Sequence, residues 1–134
     1  MTSRDLLRLK KVHPELVTQV TEILVEMERL GHPMFVVQGA RTADEQHKLW
    51  LQGRAGNSGK IVTYKDGYKH RSDHQLRSDG LGYAADLAFQ DSEPFSEEHP
   101  WERYGELVES HNLMWGGRWK MVDRPHVELD EEDV

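Results

Sequence analysis

Three short segments hold the side chains best suited to chemistry: Ser72-Asp73-His74, Ala84-Ala85-Asp86-Leu87 and Asp123-Arg124-Pro125-His126. His74, Asp86 and His126 would together offer two imidazoles and a carboxylate, the kind of three-ligand set a mononuclear catalytic metal site uses while keeping a fourth position open for water. Asp86 sits inside Tyr83-Ala84-Ala85-Asp86-Leu87-Ala88-Phe89, an otherwise apolar run. Its carboxylate is therefore either half exposed on the second face of a strand or buried with a partner, because an unpaired buried charge is destabilising. Asp123 stands three residues before His126 across Pro125, and that bent segment can turn both side chains toward one point. A carboxylate beside a metal-activated water can act as general base and then hand the proton to a leaving amine. Each piece also has a plainer reading, as a solvated strand carboxylate or a surface Asp-His pair.

Composition narrows the chemistry. The chain has 134 residues, eight histidines and no cysteine, which excludes disulfide scaffolds, thiolate zinc fingers and cysteine nucleophiles. Among the histidines, His70 competes with His74 for the first ligand position, whereas His13, His32, His47, His99 and His111 lie in or near helices, where solvated or capping roles are expected. The formal net charge of -7 argues against a nucleic-acid partner. Four of those negatives, Asp130, Glu131, Glu132 and Asp133, form a short acidic tail over about 130–134, while Arg54 to Arg77 carries six cations against two anions, a local balance of +4. The amino terminus is interrupted by charge every few residues, so neither a signal peptide nor a spanning helix of about 20 residues is expected there.

The elements that must position these groups can be read from periodicity. Leu16, Val17, Val20, Ile23, Leu24, Met27 and Leu30 recur at helical spacing, predicting a helix from Pro14 to Leu30 with Gly31 as its cap. Met34 to Val37 reads as a buried strand. Thr42 with Glu45 forms a capping box for a helix reaching about Gln52, stopped by Gly53. Arg54 to Gly82 has little periodicity beyond a short strand at Ile61 to Tyr64, and long irregular segments of that kind tend to be functional. Tyr83 to Phe89 reads as a strand, Ser96 as the cap of a helix from Glu97 to His111, and Pro125 to Leu129 as a last strand. The expected fold class is α+β: a small single domain over residues 1–134, with a mostly antiparallel sheet, flanking helices and a metal site in a cleft on the sheet.

Taken together, Gln38-Gly39-Ala40-Arg41-Thr42-x-x-x-Gln46, Ser72-x-His74, Gly82-x-Ala84-x-Asp86-Leu87 and Trp115-Gly-Gly-x-Trp119 followed by Asp123-x-x-His126 resemble the signature of the LAS metallopeptidases. The branch is the one typified by D-alanyl-D-alanine carboxypeptidase, which also includes dipeptidases and phage L-alanyl-D-glutamate endolysins, and the resemblance runs from about Met34 to Leu129. It implies one Zn²⁺ per chain held by His74, Asp86 and His126, with Asp123 as the catalytic carboxylate and Arg41 binding substrate or the developing oxyanion. Gln46 and Ser72 match cleft positions expected to touch substrate. Trp115 and Trp119 flank the approach to Asp123, with Trp115 assigned as a substrate contact. One departure stands out, since the family's first two ligands are usually seven residues apart and His74 and Asp86 are twelve apart. An inserted turn at Asp79-Gly80 would absorb the difference.

The resemblance implies a zinc-dependent peptidoglycan endopeptidase, an endolysin cutting the L-Ala–D-Glu bond of stem peptides. It would act as a monomer, without membrane insertion or nucleic-acid partner, from the host bacterial cytoplasm onto the wall at lysis. A D-alanyl-D-alanine carboxypeptidase or dipeptidase is the alternative within the family, and a non-catalytic peptidoglycan-binding module on the same scaffold is the alternative outside enzymology. The basic Arg54 to Arg77 segment is read as a solvated loop ahead of an attraction to anionic envelope polymers.

Overall fold

The computed structural model describes residues 1–54, 59–63, 65–68 and 70–130. Helix α2 (Pro14–Arg29) follows the expected period and buries Leu16, Val20, Ile23, Leu24 and Met27. His13 caps it, Nδ1 accepting the Glu15 N–H at 3.1 Å. Helix α3 (Ala43–Leu51) starts at the expected capping box of Thr42 and Glu45.

Four strands form one sheet in the order β1-β2-β4-β3: β1 (Met34–Gln38), β2 (Ala84–Phe89), β3 (Leu113–Trp115) and β4 (His126–Leu129). Every pairing is antiparallel. Side chains alternate across a strand. Ala85 and Leu87 of β2 and Val127 and Leu129 of β4 therefore face the core built with α2 and with Trp101, Tyr104 and Val108 of α4 (Trp101–Ser110). Asp86, His126 and Glu128 occupy the other face. The register sets Asp86 opposite Gln38 on one side and opposite His126 on the other.

Four elements differ from the expectation. A short helix α1 (Ser3–Arg8) precedes α2, with Thr2 and Asp5 as a reciprocal capping box. Its side chains complete the outer edge of β1: Val36 N–H donates to Asp5 Oδ1 at 2.8 Å, and Arg8 donates to Val36 O at 2.8 Å. Helix α4 begins at Trp101 rather than Glu97, because Pro100 disfavours a helical conformation at His99. Ser96 instead accepts the Trp101 indole N–H on its carbonyl at 2.8 Å. Strand β3, with the 3₁₀ turn Gly116–Arg118, was not separable from the Trp-Gly-Gly run by pattern. Residues 61–63 are irregular rather than extended into a strand, and the Tyr64 end of that expected strand, like the acidic tail beyond Asp130, lies outside the described residues.

The segment carrying His74 is irregular but tethered. Arg41 N–H donates to His74 O at 2.7 Å, Leu76 N–H to Arg41 O at 2.8 Å, and Tyr83 N–H to Asp73 O at 2.9 Å. The inserted residues close on themselves through Gly80 N–H to Arg77 O at 2.8 Å and Arg77 N–H to Leu81 O at 2.9 Å. The extra length forms a separate surface turn and leaves His74 docked.

Candidate metal centre and cleft

Three elements bring the ligand-type residues together: the tethered loop supplies His74, β2 supplies Asp86 and β4 supplies His126. One nitrogen or oxygen atom from each falls within a group whose members all lie within 4.8 Å of one another, and this is the cluster with metal-binding composition among the described residues. His74 Nε2 and His126 Nδ1 are 3.1 Å apart, and Asp86 Oδ1 lies 3.3 Å and 3.4 Å from them respectively. His70 is exposed and takes no part.

The outer nitrogens fix the tautomers. His74 Nδ1 is 2.9 Å from Gly39 O, so it carries the hydrogen and donates. His126 Nε2 is 2.8 Å from Glu128 Oε1 and donates likewise. Both inner nitrogens are thereby left to present lone pairs to the same point as the Asp86 carboxylate, the outer-shell pattern that orients metal-ligating histidines. Three converging donors with no hydrogen between them repel one another unless a cation lies among them.

Two further observations fit a cation. Asp86 Oδ1 is buried and has no well-formed hydrogen-bond partner. Against the penalty of burial, the two imidazoles hold the Asp86 carboxyl well below the usual carboxylate range. Burial also opposes charge on His126, yet Asp86 and Glu128 push its imidazole up to about 9. The site thus favours positive charge at its centre, and a bound metal cation would supply it in place of that proton.

A cavity of about 590 Å³ opens over this cluster, and Arg41, Ser72, Phe95, Trp119 and Asp123 are among the residues that line it. Asp123 lies 3.8 Å from His126 and is held by its N–H donating to Gly116 O at 2.9 Å. A Cβ on Gly116 would come within 2.4 Å of Asp123 O, so the first glycine after Trp115 is what lets this turn close beside the base. Burial and the neighbouring Asp86 charge raise the Asp123 pKa. Arg41 is largely buried, with Nη1 donating to Gln46 Oε1 at 2.9 Å, Nη2 to Gln38 Oε1 at 2.7 Å, and Nη2 3.7 Å from Asp86 Oδ2. Burial lowers its pKa from the usual arginine value, with Asp86 and Asp123 opposing.

Two expected substrate contacts sit elsewhere. Trp115 is buried in the core, its indole N–H donating to Arg124 O at 2.7 Å, and its ring lies so close to Gly105 and Gly117 that a Cβ on either would stand 2.2 Å from it. Trp119 lines the cavity instead, its ring centroid 4.7 Å from that of His126. Gln46 is fully buried and contacts Arg41 rather than open space. Glu128 and the Gly39 carbonyl escaped the sequence reading. Glu128 had a signal, since in His126-Val127-Glu128-Leu129 the strand period puts 126 and 128 on one face; Gly39 contributes backbone only and had none.

This fold with this site defines a metallopeptidase. Residues 66–129 match a family model described as D-alanyl-D-alanine carboxypeptidase, within the M15 peptidases. That match covers just under half of the chain and agrees with the resemblance to the LAS metallopeptidases. It is similar to the peptidoglycan L-alanyl-D-glutamate endopeptidase CwlK of Bacillus subtilis (strain 168), 26% identical over 125 residues that span 88% of this chain and 73% of that protein. The crystal structure of the Serratia marcescens L-Ala D-Glu endopeptidase ChiX has the same fold, with a TM-score of 0.61 and 23% identity over 99% of this chain and 91% of that one.

Proposed function

We propose that this protein is a zinc-dependent peptidoglycan endopeptidase that hydrolyses the L-Ala–D-Glu bond of stem peptides, acting as a single peptidase domain over residues 1–134. The observation that carries the reading is the convergence of His74, Asp86, His126, Asp123 and Arg41 on one cavity. The bond is that for which the two relatives are named. Zinc is supported by spacing: donors 2.0–2.1 Å from a tetrahedral ion stand about 3.3 Å apart. The three separations here are 3.1, 3.3 and 3.4 Å. Two imidazoles and a carboxylate, without thiolate, also suit a hydrolytic rather than a structural ion.

When bound, the ion supplies Lewis acidity, polarising the scissile carbonyl and making water a stronger acid. Asp123 takes the proton of the attacking water, and its raised pKa makes it the stronger base for that step. The water oxygen bonds the carbonyl carbon, the C–N bond breaks, and Asp123 passes its proton to the departing D-Glu nitrogen. Arg41, fixed by Gln38 and Gln46, stabilises the negative charge that develops on the carbonyl oxygen. Asp86 stays ionised throughout, since its depressed pKa unfits it to carry the proton. Ser72 and Trp119 bound the substrate position, and Gln46 acts through Arg41.

The finer reading is an endolysin that accumulates in the host cytoplasm and reaches the wall when the membrane is opened. The resemblance to phage members of the branch supports it. Among the described residues, no helix is long and apolar enough to cross a membrane. Expression in a host is expected to lyse cells only when a separate membrane lesion is supplied. Lysis of purified walls is expected to stop on chelation and return with zinc; wall affinity without any bond cleavage would favour a binding module instead.

A further inference from the structure

The cleft carries a cation that the reaction above does not use. Lys65 lines the same cavity as Arg41 and the metal cluster. The carboxylates around that cavity already have near neighbours: Asp73 is 3.3 Å from Arg77, Asp86 is 3.7 Å from Arg41, and Asp123 is 3.8 Å from His126. Lys65 forms no ion pair among the described residues and is exposed at the rim.

Its position is nonetheless built. The side-chain amide of Gln46, fully buried, accepts from Arg41 on Oε1 at 2.9 Å and donates from Nε2 to Lys65 O at 2.8 Å and to Thr63 Oγ1 at 3.2 Å. One amide therefore ties the guanidinium that faces the scissile carbonyl to the backbone that presents Lys65. Neighbouring bonds hold the same stretch, with His47 Nδ1 donating to Asp66 O at 2.8 Å and Gln75 Nε2 to Gly67 O at 2.8 Å. A wall anchored at four points to α3 and the His74 loop holds the backbone of Lys65 beside the Gln46–Arg41 pair, and a fixed backbone lowers the cost of turning a surface charge into a selective contact.

We infer that Lys65 is a specificity residue that recognises a carboxylate on the leaving side of the scissile bond, and that Gln46 is the positioning residue that holds it in register with Arg41. This rests on the endopeptidase reading. In an L-Ala–D-Glu stem the D-Glu residue continues through its γ-carboxyl. A free α-carboxylate therefore remains on the carbon that bears the departing nitrogen. The α-amide form, D-isoglutamine, lacks that charge and is otherwise nearly isosteric.

The test uses the zinc-loaded chain and two synthetic peptides, N-acetyl-L-Ala-γ-D-Glu-L-Lys and its α-amide. The wild type is expected to prefer the carboxylate peptide about tenfold in kcat/KM, chiefly through KM, the scale of one hydrogen bond to a charged group. Lys65→Met should bring the ratio to about one and Lys65→Arg should retain most of it. Gln46→Leu should lower the ratio as well as kcat, because it releases both cations. An unchanged ratio in Lys65→Met overturns the assignment while leaving the peptidase intact. Cleavage of neither peptide by the wild type overturns the endopeptidase reading and this inference with it. Lys65 is exposed, so its substitution leaves folding undisturbed, and a shared melting temperature checks this.

Discussion

Glu128 accepts the Nε2–H of His126 at 2.8 Å, and this bond decides which nitrogen of His126 faces Asp86. With Nε2 occupied, Nδ1 is the nitrogen left to bind metal. His74 has the mirror arrangement, with Nδ1 held by Gly39 O at 2.9 Å and Nε2 turned inward. The two imidazoles would thus bind a metal through different nitrogens, each selected by its outer partner.

Glu128→Ala is therefore expected to weaken metal affinity 10–100-fold, the usual scale for losing an outer-shell partner of a ligating histidine. Competition against a calibrated chelator measures this without any assay of activity. An unchanged affinity would mean that His126 is oriented by its packing alone.

Asp123→Ala is expected to keep the metal at one per chain and to lower kcat by about 10²–10⁴, the range of a lost general base. Metal analysis beside peptide turnover reads both. Loss of metal in this variant would make Asp123 a ligand instead.

Trp115 and Trp119 should separate cleanly. Trp115→Ala removes a buried ring and is expected to destabilise the fold by about 3–5 kcal/mol, seen as a lower melting temperature. Trp119→Ala should leave the melting temperature nearly unchanged and raise KM, since that ring borders the cavity. The reverse pattern would return Trp115 to the substrate cleft.

The pair shows how far the sequence could be read. Trp-x-x-x-Trp marked the right turn, but spacing did not say which ring points inward; that depends on Gly105, far away in α4, leaving room for Trp115. Asp86 was conspicuous because a carboxylate is rare inside an apolar strand, whereas His74 lies on an irregular loop and stood out through the local Ser-x-His motif. Gln46 stood out through its motif, but its full burial and its bond to Arg41 are tertiary facts that the motif does not carry. Helix α1 was missed for a related reason: its six residues carry charge on most sides. It is held by Asp5 and Arg8 reaching the edge of β1, a contact that leaves no periodic trace.

Asp5 gives the fold a measurable acid sensitivity. Burial raises its pKa, but hydrogen bonds from the Val36 and Thr2 backbone outweigh that and leave it below the ordinary aspartate value. A depressed folded pKa contributes stability that is present above the unfolded value and lost as pH falls through the folded one. Asp5→Asn should accordingly lower stability at neutral pH by about 1–3 kcal/mol, the range for a buried charge-assisted bond. The gap to wild type should close below about pH 4. Thermal melts of both proteins across pH 2–7 follow it, and a gap independent of pH would mean that Asp5 is not ionised in the folded protein.

The most direct test of the central claim is mass spectrometry of purified peptidoglycan digested by the zinc-loaded protein, with a chelated sample alongside. The account expects stem peptides that begin with a new D-Glu amino terminus, together with muramyl-L-Ala fragments, and neither in the chelated sample. Release of free D-Ala without new D-Glu termini, or equal cleavage in the presence of chelator, would contradict it.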